Sequence, residues 1–307
     1  MMERQALVYV PQTLFYDLVD SFHSHPGEWR LGEGCLEFGA VKVLRLRTPG
    51  SIGDGDVGRV GEAVDGGGSI VVCLADQYKV LRVCAAQGYR TVWYNLLMDF
   101  APGKVPIHDG EVTSFEELRD IPALLAKPTL TTCTQWLDTW QVPDNIRRHV
   151  SLVAWMAYVL GVLLRRAGVK LDPILAHRGG LLHDLDKLHT LDPSKPHGVL
   201  GAAFVRNQGH ADLADIISGH VMRADLTDEQ LSWENKLVFF CDKLTEQDRI
   251  VPFDVRLGAL KARYPQFEGV MRRAEPYIWD LNDQICSILS ISEHRSLIKL
   301  LLDLQKN

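Results

Sequence analysis

Residues 144–166 read DNIRRHVSLVAWMAYVLGVLLRR, and residues 179–187 read GGLLHDLDK. In the first stretch six residues recur every three or four positions: His149, Leu152, Val153, Met156, Leu160 and Leu163. This period places them on one face of an α-helix, which Asp144 could cap. The second stretch ends in the adjacent pair His183 and Asp184. An imidazole and a carboxylate are hard to satisfy beside an apolar helix without a metal ion or a hydrogen-bonding network.

The residues after this pair keep the same helical character. No convincing strand pattern occurs from Asp144 onward, and helices are predicted at 172–185, 197–207, 211–220, 227–249, 252–263 and 265–304. We therefore predict an all-α domain over residues 144–307.

The first part of the chain has a different pattern. Short apolar runs rich in β-forming residues occur at 6–10, 41–46, 70–74 and 90–94, separated by helix-compatible segments and Gly-rich turns. This alternation predicts a small Rossmann-like α/β domain with a mainly parallel sheet over residues 1–126. Its last predicted helix, 114–126, opens with the capping-box pair Ser114 and Glu117. Residues 127–143 lack a strong period and contain proline, which predicts a linker.

The charge pattern restricts the classes of partner. The 307 residues carry a formal charge of -6, with 12 basic and 18 acidic residues up to residue 140 and 21 of each after it. Neither half is strongly basic, which argues against nucleic acid as the main ligand.

Cysteine usage and hydropathy predict a cytoplasmic protein. The six cysteines form no CxxC pair, and several lie in apolar runs where a reduced thiol packs as a small hydrophobe. The first residues lack the pattern of a signal peptide. The longest apolar stretch, Leu152–Leu164, is shorter than the roughly 20 residues that cross a bilayer. We therefore expect a reducing compartment and no membrane partner.

Histidines are concentrated in the second half of the chain, where seven of the eleven lie between residues 149 and 220. An isolated buried histidine is usually structural, so the spacing of these residues is the more informative feature. His149, the doublet His183–Asp184 and the distant Asp242 resemble the pattern of the HD-domain metal-dependent phosphohydrolases, over roughly residues 144–265. The resemblance implies that these four residues bind a metal ion and that the domain hydrolyses a phosphoester or phosphoanhydride bond.

Two further histidines match the subgroup of this family that holds two metal ions, which includes bacterial symmetrical diadenosine tetraphosphate hydrolases. His197 opens HGVLGAAFV, and His220 follows ADIISG. The resemblance implies a dinuclear site in which Asp184 can bridge the ions, and imidazoles with carboxylates suit Fe, Mn, Co or Zn better than Mg. Two such ions would activate a water molecule and hold phosphate oxygens during in-line attack. One departure is Asp186, where glycine is commoner in the HDxGK form of the motif.

Two basic residues are candidates for substrate binding. Lys187 would lie about one turn after Asp184 if the helix continued, where its ammonium group could meet a phosphate oxygen; a surface salt bridge is the alternative. Arg249 lies seven residues beyond Asp242 and would share its helix face, where an internal ion pair is the alternative. Asp184 and Lys187 are the predicted catalytic residues. No ligand position matches the remaining histidines of this region, which are His177, His189 and His210.

The first domain faintly resembles the haloacid-dehalogenase-like family, through VVCLADQYKVLRVCAAQGYRTVWYN and the segment after it. That family requires an aspartate nucleophile in a DxD pattern after its first strand, whereas Tyr9 and Pro11 occupy those places here. Asp17 and Asp20 are near the first strand but are spaced DxxD, as on the exposed side of a helix. Asp76 could be a surviving acid of the family's last motif, but Val80 stands where a second acid is expected. The resemblance therefore implies a degenerate, non-catalytic domain. A Rossmann-like nuclease-type domain with three converging acids is the rival interpretation.

Together these patterns predict metal-dependent hydrolysis of a phosphoester or phosphoanhydride bond in a nucleotide-like small molecule, at a His and Asp site. The alternative is a catalytically silent metal- or nucleotide-binding regulatory module. The sequence specifies neither the exact substrate nor the oligomeric state. It is compatible with a homo-oligomer.

Overall fold

The computed structural model describes residues 6–10, 30–32, 35–38, 41–45, 70–74, 78–86, 88, 90–95, 97–113, 117, 121–190, 197–223 and 231–306. The chain divides into two units, Met1–Pro102 with Pro106–Thr129, and Gly103–Val105 with Leu130–Asn307.

The first unit contains a sheet with the strand order β2-β3-β4-β1-β5-β6-β7. Strands β4, β1, β5, β6 and β7 run parallel to one another, whereas β2 and β3 form an antiparallel extension beside β4. The strands are β1 (Ala6–Val10), β2 (Arg30–Gly32), β3 (Cys35–Phe38), β4 (Val41–Arg45), β5 (Ile70–Leu74), β6 (Arg90–Tyr94) and β7 (Gly110–Val112). The four predicted runs coincide with β1, β4, β5 and β6. β2, β3 and β7 span three or four residues each, too few for a pattern to stand out.

Strand β6 illustrates why the apolar runs form strands. Its residues Thr91 to Tyr94 are all buried, which is typical of a parallel strand covered on both faces. Helix α1 (Tyr78–Ala86) connects β5 to β6, and helix α2 (Ile121–Leu124) follows β7. Within the predicted helix 114–126 the structure describes Glu117, this short helix and residues 125–126, whereas Ser114 lies outside the described residues.

Two acids of the first unit, Asp109 and Glu111, are buried and hydrogen-bonded. Asp109 accepts a bond of 2.9 Å from the backbone N–H of Thr91, and Glu111 accepts one of 3.0 Å from the Asn95 amide. Tyr9 lies on β1, but Pro11, Asp17, Asp20 and Asp76 lie outside the described residues, as does the side chain of Val80. The haloacid-dehalogenase-like interpretation and its nuclease-type rival therefore stay predictions.

The second unit is built from helices, as predicted for this part of the chain. They are α3 (Leu130–Thr139), α4 (Asp144–Arg166), α5 (Pro173–Leu182), α6 (Val199–Asn207), α7 (Ala211–Gly219), α8 (Trp233–Lys243), α9 (Phe253–Arg263), α10 (Glu268–Ile288) and α11 (His294–Lys306). Asp172 caps α5 by accepting the N–H groups of Ile174 and Leu175. In contrast to the prediction, Asp144 lies in the first turn of α4, whose N-cap is Pro143.

Helix α3 replaces most of the predicted linker at 127–143. Its Cys133 and Leu137 are buried in a core cluster that they share with α5, α6 and α7. The edges of Trp136 and Trp140 also pack against the ring of Phe204 at 5.4 and 5.5 Å between ring centroids. The segment from Leu130 is therefore part of the second unit, because these large apolar side chains are covered there.

Two long predicted helices are interrupted in the structure. The helix predicted at 227–249 ends at Lys243, and the hairpin of β8 (Thr245–Glu246) and β9 (Arg249–Ile250) follows. Gln247 at the tip of this hairpin has a φ of 57°, which an α-helix does not allow. The helix predicted at 265–304 is likewise divided into α10 and α11, with Ser290 at a φ of 55° between them. The prediction of an all-α domain therefore misses one small hairpin.

Helices α4 and α5 approach each other closely through glycine. A Cβ atom added at Gly180 would lie 2.5 Å from the Cα and 2.7 Å from the backbone N of Ala154. Only a residue without a Cβ fits between the two backbones. The ring of His149 on α4 lies 5.3 Å from that of His183, the C-cap residue of α5, between ring centroids.

Helix α4 is long and apolar enough to cross a membrane by length and composition alone, with a mean hydropathy of 1.3 in its most apolar window. However, 67% of that window is buried inside the structure. Its apolar face packs on the neighbouring helices, so we interpret α4 as the central core helix of the second unit.

The four cysteines whose side chains the structure describes are buried free thiols: Cys84, Cys133, Cys241 and Cys286. Burial raises the pKa of Cys84 to about 11, so this thiol stays protonated at neutral pH. These cysteines therefore pack as small apolar side chains, which agrees with their positions in apolar runs.

Candidate metal centre

Three histidines of the second unit are held by backbone carbonyl groups. A carbonyl can only accept a hydrogen bond, so the Nδ1 atom of each ring carries a proton, and in the neutral form of the ring Nε2 carries the lone pair. The distances are 2.8 Å from His149 to Gln247, 2.8 Å from His183 to Gly180 and 2.5 Å from His220 to Ile217. This is the arrangement that fixes the ring of a metal-binding histidine through its second nitrogen.

The Nε2 atoms of these three rings and of His197 surround the carboxylate of Asp184. Its Oδ2 atom lies 3.9 Å from Nε2 of His149 and 3.8 Å from Nε2 of His183. Its Oδ1 atom lies 2.6 Å from Nε2 of His197 and 3.7 Å from Nε2 of His220. Each oxygen of one carboxylate therefore faces a different pair of histidines.

Asp242 completes the group on the Oδ2 side. Its Oδ1 atom lies 3.2 Å from Nε2 of His149 and 3.9 Å from Nε2 of His183. Two overlapping sets of potential ligands result, and both contain Asp184. One consists of His149, His183 and Asp184, with Asp242 beside it, and the other of Asp184, His197 and His220.

The chemistry of His183 indicates that a metal ion fits this centre. Its side chain is fully buried, and its Nε2 atom has no hydrogen-bond partner. Burial lowers the pKa of His183 to about 3, so the ring is neutral at neutral pH. A buried lone pair without a partner is costly, whereas a neutral imidazole nitrogen is a good ligand for a divalent transition metal.

The two carboxylates are ionised despite their burial. Burial by itself would raise the pKa of Asp184, but the Lys187 ammonium and the neighbouring histidines hold it well below its usual range. Burial would also raise the pKa of Asp242, yet Lys243 and His149 hold it well below its usual range. Burial also lowers the pKa of His220, as it does that of His183, so the centre offers two anionic carboxylates and two neutral imidazoles of the kind that metal ions require.

Three basic side chains surround the carboxylates. The ammonium of Lys187 lies 3.2 Å from Oδ1 of Asp184. The ammonium of Lys243 lies 2.5 Å from Oδ2 of Asp242, and Nη2 of Arg256 lies 3.6 Å from Oδ1 of the same residue. Lys243 and Arg256 were not predicted from the sequence. The sequence contains a signal for Lys243, because this residue directly follows the predicted ligand Asp242.

A cavity of about 490 Å³ adjoins the centre, and its lining includes His149 and Asp184. Four basic residues also line it: Arg148, Lys187, Arg256 and Arg263. Glu246 binds both Arg256 and Arg263, with N–O distances of 2.5 Å, and so orders the pair. The cavity also contains the apolar surface of Leu260 and the ring of Tyr264.

The remaining predicted site residues have different environments. Lys187 lies at the cavity, in a 3-10 turn (Lys187–Thr190) instead of on a continued helix. Arg249 is exposed on β9 and is not among the residues that line this cavity, so it shares no helix face with Asp242.

The other histidines make contacts away from the ligand groups. His177 is buried and bonds to Arg178 at 2.9 Å. His189 and His210 pack against the rings of Trp140 and Trp136.

Residues 147–247 match the protein family model described as HD domain. This range contains all six potential ligands and ends before Arg256 and Arg263. The chain is 26% identical over 159 residues to Uncharacterized protein MJ0778 of Methanocaldococcus jannaschii, a match that covers 48% of this chain and 90% of that protein. It is 35% identical over 78 residues to Ribonuclease Y of a Parafrankia species, covering 25% of this chain and 14% of that protein. No solved structure matches the chain significantly.

Proposed function

We propose that the second unit is a metal-dependent phosphohydrolase that cleaves a phosphoester or phosphoanhydride bond in a nucleotide-like small molecule. The HD-domain family, whose model matches residues 147–247, implies metal-dependent phosphohydrolase activity. The observation that carries the proposal is the position of the Asp184 carboxylate. One of its oxygens faces His149 and His183, and the other faces His197 and His220.

Under this proposal two divalent transition metal ions, of Fe, Mn, Co or Zn, bind the centre. One is held by His149, His183, Asp184 and Asp242, and the other by Asp184, His197 and His220. When bound, such ions supply hydroxide near neutral pH and neutralise charge on a phosphate group. Asp184, as the residue common to both sets, is the most important of the ligands.

Lys187 and Arg256 are positioned to bind the phosphate group of the substrate. Both lie within 3.6 Å of a ligand carboxylate and line the cavity. A phosphate oxygen near the centre would therefore accept charge-assisted hydrogen bonds from them. The cavity volume is within the range of small-molecule sites, and Tyr264 could stack against a base.

There are two alternative functions, an RNA-cleaving enzyme and a regulatory module without turnover. The match to Ribonuclease Y raises RNA as a substrate. The equal number of basic and acidic residues after residue 140 argues against RNA. A catalytically silent regulatory module would bind metal or nucleotide without turnover.

The test is elemental analysis of the purified protein, followed by assays of phosphate or nucleotide release. The panel consists of nucleoside mono-, di- and triphosphates, diadenosine polyphosphates, cyclic nucleotides and an oligoribonucleotide, each assayed with Mn²⁺, Fe²⁺, Co²⁺ and Zn²⁺. We expect bound metal and turnover of a small nucleotide. Bound metal without any turnover would favour the regulatory module, and cleavage of the oligonucleotide alone would favour RNA.

Replacement of His220 by alanine should reduce the metal content from about two ions to about one per chain, because it removes a ligand from one set only. The rate of hydrolysis should fall by about 10²-fold or more, since one ion cannot both activate the nucleophile and hold the phosphate. The same changes are expected for His197→Ala. Two retained ions and an unchanged rate would assign a structural role to these histidines.

Replacement of Lys187 by alanine should leave the metal content unchanged and lower kcat by about 10²-fold. A loss of this size is typical when one hydrogen-bond donor to the negative charge of the transition state is removed. The control is Arg249→Ala, because Arg249 is exposed on β9 and is not among the residues that line the cavity. It should retain nearly full activity. A wild-type kcat in Lys187→Ala would contradict the role of Lys187, and a similar loss of kcat in Arg249→Ala would support the predicted role of Arg249.

A further inference from the structure

His197 differs from the other three site histidines in what holds its Nδ1 atom. Those three use backbone carbonyl groups, whereas Nδ1 of His197 lies 2.9 Å from the Oδ1 atom of Asp186. The Thr190 hydroxyl is a second neighbour at 3.2 Å. The Asp186 carboxylate is therefore the only side-chain anion within hydrogen-bonding distance of an Nδ1 atom among these four rings in the described part of the chain.

Asp186 is itself held rigidly. Its side chain is fully buried, and its two oxygens accept the N–H groups of Gly198 at 3.1 Å and Gly201 at 3.0 Å. These N–H groups lie at the start of helix α6, so the carboxylate also compensates the positive end of that helix. Gly198 has a φ of 82° and is the residue next to His197. One carboxylate thus binds both the helix start and the histidine that precedes it.

We propose that Asp186 is a positioning residue that holds the His197 ring in place and makes its Nε2 atom a stronger ligand for the second metal ion. The inference rests on the proposed function, because it requires that His197 binds metal. A carboxylate that accepts the Nδ1 proton fixes the tautomer and increases the basicity of the opposite nitrogen. The expected effect is selective, since Asp186 faces Nδ1 of His197, whereas Nδ1 of each of the other three rings faces a backbone carbonyl.

The proposal gives a meaning to the departure at this position from the HDxGK pattern. A glycine in place of Asp186 would remove the carboxylate beside Nδ1 of His197. Of the two neighbours, the Thr190 hydroxyl would remain. The negative charge beside the ring would also be lost. The second ion would then depend on three ligands whose weakest member is a poorly held imidazole.

The experiment is a titration of the metal-free full-length protein with Co²⁺, followed by absorption spectroscopy and calorimetry. It compares the wild type with Asp186→Asn, His197→Ala and the double variant. Asparagine keeps the size of the side chain and one acceptor oxygen but removes the charge. Asp172→Asn is the matched control, because Asp172 also accepts two N–H groups at a helix start. Thermal unfolding monitors the fold of each variant.

We expect Asp186→Asn to weaken the second Co²⁺ by about 10- to 100-fold while the first binds within about threefold of the wild type. Asp172→Asn should bind both ions as the wild type does. In the His197→Ala background, Asp186→Asn should cause no further loss, because its effect passes through His197. If Asp186→Asn does not fold, Asp186→Gly takes its place with the same expected loss.

Other outcomes would overturn the proposal. Binding of both ions by Asp186→Asn with wild-type affinity would remove the positioning role while the metal centre stands. Equal weakening of both ions, or an effect that persists without His197, would show that Asp186 acts only on the fold. A wild-type protein that takes up no Co²⁺ would contradict the proposed function itself, and this inference with it.

Discussion

Replacement of Asp184 by asparagine is expected to remove both metal ions and to abolish hydrolysis. Both sets of potential ligands contain this residue, and its two oxygens face different pairs of histidines. The amide has one oxygen and no charge, so each set would lose either its ligand atom or its anionic partner. We expect less than one ion per chain by elemental analysis and a loss of activity of at least about 10³-fold.

The control for this experiment is Asp215→Asn on helix α7. Asp215 is exposed and pairs with Arg206 at 2.6 Å, away from the ligand groups. Because surface ion pairs contribute little, this variant should keep its metal content, its activity and its melting temperature. An Asp184→Asn protein that is folded, binds two ions and turns over at the normal rate would refute the proposed centre.

Replacement of Gly180 by alanine is expected to destabilise the second unit strongly. The added methyl group would lie 2.5 Å from the Cα and 2.7 Å from the N of Ala154, so helices α4 and α5 would have to separate. Overpacking of this kind costs about 3 kcal/mol, or more where backbone atoms collide. For a domain of this size the melting temperature should fall by roughly 10 °C.

This substitution should also weaken metal binding, because it moves the two helices that carry His149 and His183. Gly258→Ala provides a matched control, since a Cβ atom at that position of helix α9 meets nothing within 4 Å. Alanine favours a helix by about 1 kcal/mol over glycine, so the control should be as stable as the wild type or slightly more so. Similar melting temperatures for the two variants would contradict the close approach of α4 and α5.

Much of the second unit follows from local patterns. The three- and four-residue period of Leu152, Met156 and Leu160 identifies the core face of α4, and all three residues are buried. The doublet His183–Asp184 is recognisable because two polar groups end an apolar run. Such features are local, since side chains three or four positions apart share one face of a helix.

The predicted helix at 227–249, and with it the helix face that Asp242 and Arg249 would share, is wrong for one reason. The backbone turns back at Gln247 within this range and forms a hairpin. Hydrophobic spacing does not record such a change of direction. The backbone N–H of Val251 bonds to the carbonyl of Leu244 at 2.8 Å and closes the turn.

Helix periods are local signals, and they predict the helical character of the described parts of residues 144–306 apart from the hairpin at 245–250. The resemblance to the HD-domain family predicts the six candidate ligands of the metal centre. How these side chains face one another depends on the packing of the helices. The division of the Asp184 oxygens between two histidine pairs depends on helices that are far apart in sequence. So does the position of Arg256 beside Asp242. Contacts of this kind arise from packing between helices, and no spacing within one helix encodes them.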